Sequence, residues 1–199
     1  MKKIAIAALM PALVMASFSG HAAEKKVTVD GGKIKFEGSV VAAPCAVDNT
    51  TDGQTVRLGQ VPANRLVAKG DASGSVPFTI KLSGCNLSSA EEPEEPVDPG
   101  KAASYTSASI TFSGATAGDD TTLAVQSGEG AAGESATNVG IQIYQNNKAV
   151  KVDGSTATEA QKIVSGSNEI PFSAAYVATD KDVVAGSANA IVDFKVNYE

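Results

Sequence analysis

Beyond residue 26 the apolar residues recur with a period of two, and no strong amphipathic helix interrupts them. In Ser75 to Gly84, Val76, Phe78, Ile80 and Leu82 fall on one side; Ser75, Thr79, Lys81 and Ser83 fall on the other. Glu169 to Ala178 repeats the pattern with Ile170, Phe172, Ala174 and Tyr176. Ala188 to Glu199 does so with Ala190, Val192, Phe194, Val196 and Tyr198. Successive side chains of a strand point to opposite faces, so each run reads as a half-buried strand. Shorter runs are expected as strands at Gln54 to Val61, Ser109 to Ser113, Thr121 to Gln126 and Val139 to Ile143.

The connections carry turn chemistry. Gln145-Asn146-Asn147-Lys148 is expected to form a tight hairpin turn, because Asn tolerates the positive φ such turns demand. Ala149 to Val152 would be the return strand, stopped by Asp153-Gly154. Asp48 to Gly53, Gly128 to Ser135 and Asp180 to Ser187 read as loops, as does Pro62 to Gly74 with a helical turn near Ala63 to Ala68. Strands about ten residues apart with turns between them predict an all-β sandwich, and a single disulfide is compatible with an immunoglobulin-like form.

The start of the chain is of another kind. Met1-Lys2-Lys3 is basic, Ile4 to Phe18 is apolar, and Ser19 to Ala23 is small and mildly polar. This reads as a secretory signal peptide over residues 1–23, cleaved after Ala22 or Ala23. The apolar run is shorter than the roughly 18 residues a membrane span needs. The remaining 176 or so residues suffice for one domain with a core.

Composition narrows the chemistry. The only histidine, His21, falls in the signal segment, and Trp is absent. The net charge is −6, which argues against nucleic acid as a partner, since phosphate contacts need clustered Lys and Arg. The two cysteines, Cys45 and Cys85, are expected to pair in an exported chain. The bridge would close a loop of 40 residues, about 4 kcal/mol in the chain-entropy model. Their spacing is wrong for a Cys-x-x-Cys redox pair, and no mature histidine could complete a metal site. No cofactor is expected. Without histidine, free thiol or a Gly-x-Ser-x-Gly element, an enzyme is not expected either.

Two segments stand apart from the sandwich pattern. Residues 86–103 hold a run, Glu91 to Pro99, with five acids and three prolines in nine positions. It cannot bury apolar surface and reads as a solvated loop rather than a calcium site, which would need a tight Gly turn. Residues 27–41 read Val-Thr-Val-Asp-Gly-Gly-Lys-Ile-Lys-Phe-Glu-Gly-Ser-Val-Val. Gly32, Ile34, Phe36, Gly38 and Val40 alternate with Lys33, Lys35, Glu37 and Ser39. The face is clear, yet the glycines make this a poor strand in isolation. From alternation alone it is either the domain's own first strand or a strand that completes another sheet.

The run from Asp30 to Asp48, including Gly32-Lys33-Ile34-Lys35-Phe36-Glu37-Gly38 and Ala43-Pro44-Cys45-Ala46-Val47, resembles the amino-terminal region of chaperone–usher pilins. Type 1 fimbrial major subunits are the closest in pattern. Thr55 to Val61, Ser135 to Ile143, Ile170-Pro171-Phe172 and Phe194 to Tyr198 resemble them too, in the same order. The acidic insert at 86–103 departs from that pattern by its length.

The resemblance implies an incomplete immunoglobulin-like β-sandwich, the pilin fold, lacking its last strand. It implies a donor-strand extension over 24–39 and a pilin domain over 40–199, with Val40 onward as first strand. Asp30, Gly32, Ile34, Phe36 and Gly38 would be the donor positions, Gly32 at a tight spot of the groove. Gly186, Ala190, Val192, Phe194, Val196, Tyr198 and Glu199 would form the carboxy-terminal strand that a periplasmic chaperone and then a donor strand complete. The Glu199 carboxylate would meet basic residues of the chaperone. Identical subunits, other fimbrial subunits and an outer-membrane usher would be the further partners. The function implied is polymerisation by donor-strand exchange into the shaft of an adhesive surface fimbria. A minor adaptor or terminator subunit is the near alternative, and a single-domain carbohydrate-binding adhesin the more distant one.

Overall fold

A computed structural model describes residues 29, 31–36, 38, 40, 42–48, 53–87, 105–127 and 134–199. The signal segment 1–23, Asp30 and positions 88–103 of the acidic insert lie outside the described residues. The chain divides into two units, Met1–Ser39 and Val40–Glu199.

The second unit holds two sheets. The larger contains β1 (Ala46–Val47), β2 (Val76–Cys85), β8 (Gly166–Ala178), β5 (Val139–Gln145) and β4 (Thr122–Ala124) in that spatial order, with β6 (Lys148–Ala149) paired to β5. The smaller runs β7 (Gln161–Lys162), β3 (Ser107–Gly114), β9 (Val192–Tyr198). Every strand pairing is antiparallel. A single turn of 3-10 helix, Ala63–Arg65, sits in the loop where a helical turn is expected.

Alternation positions the core. On β2, Ile80 and Leu82 are buried while Lys81 is exposed; on β8, Ile170 and Phe172 are buried while Glu169 and Pro171 are exposed. The register sets Ile80 opposite Ile170 and Phe78 opposite Phe172. From the smaller sheet, Ala108, Ile110 and Phe112 enter the same cluster, which also takes in Leu123, Ile141 and Ile143. Lys81 and Glu169, opposed on the outer face, form a 3.3 Å ion pair.

Two prolines occupy strands without breaking them. Pro171 lies on β8 beyond Ser173, the last residue that pairs with β5. Pro77 lies on β2 upstream of Leu82, where pairing to β1 begins. At both positions one flank of the strand has no strand beside it among the described residues, the setting a residue without an N–H requires.

Several boundaries differ from expectation. Gln54 to Val61 forms no strand, although Val56, Leu58 and Val61 are half-buried. Alternation gives that segment a buried face, but no strand of the described sheets lies beside it. The first strand starts at Ala46, not Val40, which is fully exposed. The return strand of the hairpin is Lys148–Ala149; Val150 still donates to the Ile143 carbonyl of β5, but Val152 donates its N–H to the Asp120 carbonyl instead. The closing strand starts at Val192 rather than Ala188, because Asn189 exchanges hydrogen bonds with Gln126. The turn itself is as expected, with φ of 51° at Asn146 and 62° at Asn147.

Candidate assembly groove

β9 is the last strand of the smaller sheet. One flank pairs with β3 from Ala108↔Tyr198 to Gly114↔Val192, and the other has no strand partner among the described residues. Its inward residues Val192, Phe194, Val196 and Tyr198 pack on the core but remain half-buried. On β3 the inward residues Ala108, Ile110 and Phe112 are nearly closed to solvent, whereas the whole inward row of the neighbouring β9 is short of cover. Phe194 lies 6.5 Å from Phe112, ring centre to ring centre, and Tyr198 lies 5.9 Å from Tyr105. The Tyr198 hydroxyl donates to the Cys45 carbonyl at 3.3 Å, and partial burial pushes its pKa up.

A cleft of about 720 Å³ opens near residues 183–189, which lead into β9. Its apolar lining includes Val61, Leu66, Val139, Tyr176 and Val183. The Tyr176 hydroxyl donates to the Ala188 carbonyl at 3.2 Å, tying β8 to the approach of β9. Gly186 is also on the lining, and a Cβ there would lie 2.5 Å from the Ala136 nitrogen and 2.6 Å from the Glu134 oxygen. Only glycine lets these two backbone segments approach so closely. Alternation does not single out the cleft, because its lining comes from separated segments of the chain.

The end of the chain is tied in. A main-chain oxygen of Glu199 accepts from the Thr106 and Ser107 amides at 2.8 and 2.9 Å, and its side-chain carboxylate accepts from the Ser109 hydroxyl at 3.0 Å. The Cys45–Cys85 disulfide is formed, with both residues buried, and fastens the approach to β1 onto the end of β2. Ala190 packs on the core just ahead of β9.

The expected donor positions behave differently. Ile34 and Phe36 are 81% and 89% exposed, Gly32 has φ of +94°, and residues 31–36 belong to no strand. Gly38 has open space around the position of a Cβ. Asp30 falls outside the described residues.

No group of three or more His, Cys, Asp or Glu among the described residues converges on a possible metal position. The perturbed carboxylates serve turns: Asp119 takes hydrogen bonds from Thr121 and Thr122, Asp153 from Ser155, and Glu159 from Lys148 and Asn146. No helix among the described residues is long and apolar enough to cross a membrane.

Comparison with known proteins bears on this geometry. The family model described as "Fimbrial protein" matches residues 34–199. The type-1 fimbrial protein C chain of Escherichia coli is 44% identical over 174 residues, covering 86% of each chain. The type-1 fimbrial protein A chain of Escherichia coli strain K12 is 39% identical over 201 residues, covering 100% of this chain and 98% of that one. Among solved structures, a chaperone–usher pilus chain from work on rod uncoiling superposes with a TM-score of 0.66 at 22% identity, over 88% of this chain and 99% of that one. That likeness extends to the fold, an incomplete immunoglobulin-like sandwich.

Proposed function

The chain belongs to the fimbrial protein family as a structural pilus subunit, and from that premise we propose that it is the repeating shaft subunit of an adhesive chaperone–usher surface fimbria. One observation carries the reading: among the described residues the half-buried apolar row of β9 has no strand on its outer flank, and the chain itself owns an exposed alternating segment of matching character. Strand addition supplies main-chain hydrogen bonds for affinity and alternate side chains for specificity. Gly32, Ile34, Phe36 and Gly38, with Asp30, are the donor positions; Val192, Phe194, Val196 and Tyr198 line the receiving edge, with Ala190 and Gly186 at its approach.

Donation from each subunit to the next is a heterologous contact that does not close, so it yields a filament. Before assembly the same edge is held by a strand of a periplasmic chaperone, with Glu199 at its end, and an outer-membrane usher passes the subunit outward. The leader at 1–23 fits export through the periplasm to the cell surface. A shaft role is favoured over an adaptor by the near full-length match to a type-1 A chain.

Deleting residues 24–38 behind the leader tests the reading. The truncated subunit is expected to fold and be captured by its chaperone, yet to form no fibres. Long fibres from that variant would overturn strand donation. Electron microscopy of cells lacking the subunit separates the two roles: a shaft subunit leaves no fibres, whereas an adaptor leaves fewer or shorter ones.

A further inference from the structure

We infer that charge sets the register in which one copy of this chain joins the next, with Glu37 of the extension placed against Lys195 of the receiving β9. The inference rests on the strand-donation reading above. By sequence alternation Lys33, Lys35, Glu37 and Ser39 fall on the face opposite Ile34 and Phe36. β9 has the same division, with Asp193, Lys195 and Asn197 opposite the apolar row. Asp193 and Lys195 are exposed and form no ion pair with another described residue. A strand added to β9 therefore lays one charged row beside the other.

Apolar face must meet apolar face, so the admissible registers differ by steps of two residues. Charge discriminates among these. In the antiparallel sense, setting Glu37 against Lys195 also sets Lys33 against Glu199, Lys35 against Asn197 and Ser39 against Asp193. Opposite charges meet twice and like charges never. The same register puts Ile34 beside Tyr198, Phe36 beside Val196, and the bare backbone of Gly38 beside the Phe194 ring. A slip of two residues one way brings Lys35 onto Lys195 and Glu37 onto Asp193, both repulsive; the other way leaves one attraction, Lys35 with Glu199. In the parallel sense the best register again pairs Glu37 with Lys195, now alongside Lys35 with Asp193. Glu37 and Lys195 thus meet in the favoured register of either orientation.

Charge reversal in the full-length chain tests this. Lys195→Glu and Glu37→Lys each convert the pair to repulsion at every joint of the fibre. The double variant restores opposite charges, because each subunit both donates and receives. Isolated fibres of each single variant are expected to dissociate in denaturant roughly threefold to tenfold faster than the parent, with the double variant returning close to it. Glu37→Lys leaves the sandwich unit 40–199 untouched, so its effect is free of any folding defect that Lys195→Glu introduces. Parental dissociation rates in both single variants, or a double variant as weak as the two losses combined, would overturn the pairing. Ile34→Asp with Phe36→Asp serves as the separate control. Normal fibres from that variant sink strand donation itself, whereas no fibres from it beside unchanged charge variants sink the register alone.

Discussion

Phe112 of β3 and Phe172 of β8 meet edge to face, with ring centres 5.2 Å apart, and join the two sheets at the middle of the core. Phe172 also stacks on Phe78 of the adjacent strand at 5.6 Å. Phe172→Ala is expected to cost about 3–5 kcal/mol, through lost burial and the cavity left behind. Phe172→Leu should cost less, because most of the volume remains. Urea unfolding of the purified subunit checks the order, and a loss below about 1 kcal/mol for the alanine variant would contradict the role given to this ring.

Gly140 of β5 is held by its neighbours. A Cβ there would sit 2.3 Å from Thr122 Cγ2 and 2.8 Å from the Leu123 carbonyl oxygen on β4. Gly140→Ala is therefore expected to push β4 away and cost about 1–3 kcal/mol. Gly38→Ala meets nothing within 4 Å and should leave the melting temperature of the subunit unchanged. Equal melting temperatures for the two variants would refute the steric account.

Removing the disulfide by Cys45→Ser is expected to cost about 2–5 kcal/mol and to loosen β1 from β2 first. Hydrogen exchange at the amides of Ala46 and Val47 reads that loosening. Two reactive thiols in the parent protein would refute the pairing.

Asp119 gives a pH signature. Burial pushes its pKa up, but hydrogen bonds from Thr121 and Thr122 outweigh this and leave it below the ordinary 3.8. A carboxylate with a depressed folded pKa contributes stability above its unfolded value, and that contribution is lost as pH falls through the folded value. Acidification below about pH 4 should therefore weaken the turn before β4. Thr121→Ala should raise the Asp119 pKa toward 3.8, as followed by NMR titration. An unchanged titration would exclude these hydrogen bonds as the cause.

Much of this architecture is legible from the period of two. The runs at 75–84 and 169–178 became β2 and β8, and the paired asparagines became the turn between β5 and β6. The disulfide follows from the cysteine count. What alternation cannot supply is a partner. Gln54 to Val61 has the face of a strand and, among the described residues, no strand beside it. Gln161–Lys162 pairs with β3 through two polar residues that carry no period at all. The cleft near Gly186 arises from tertiary approach, of which the sequence shows only a glycine. The unpaired flank of β9 is legible in sequence only through family resemblance, since a strand that lacks its neighbour alternates like any other.

Pro77 and the brevity of β1, β4 and β6 bear on the valence of the subunit. Pro77 denies a donor on the outer flank of β2, and the other outer strands offer at most three residues to pair with. An intruding strand finds a long continuous flank in the larger sheet nowhere else among the described residues. On the strand-donation proposal, a unit with one plug and one socket grows as a line. Branching or lateral sheet-to-sheet clumping would need a second socket, and the proline removes the best candidate for one.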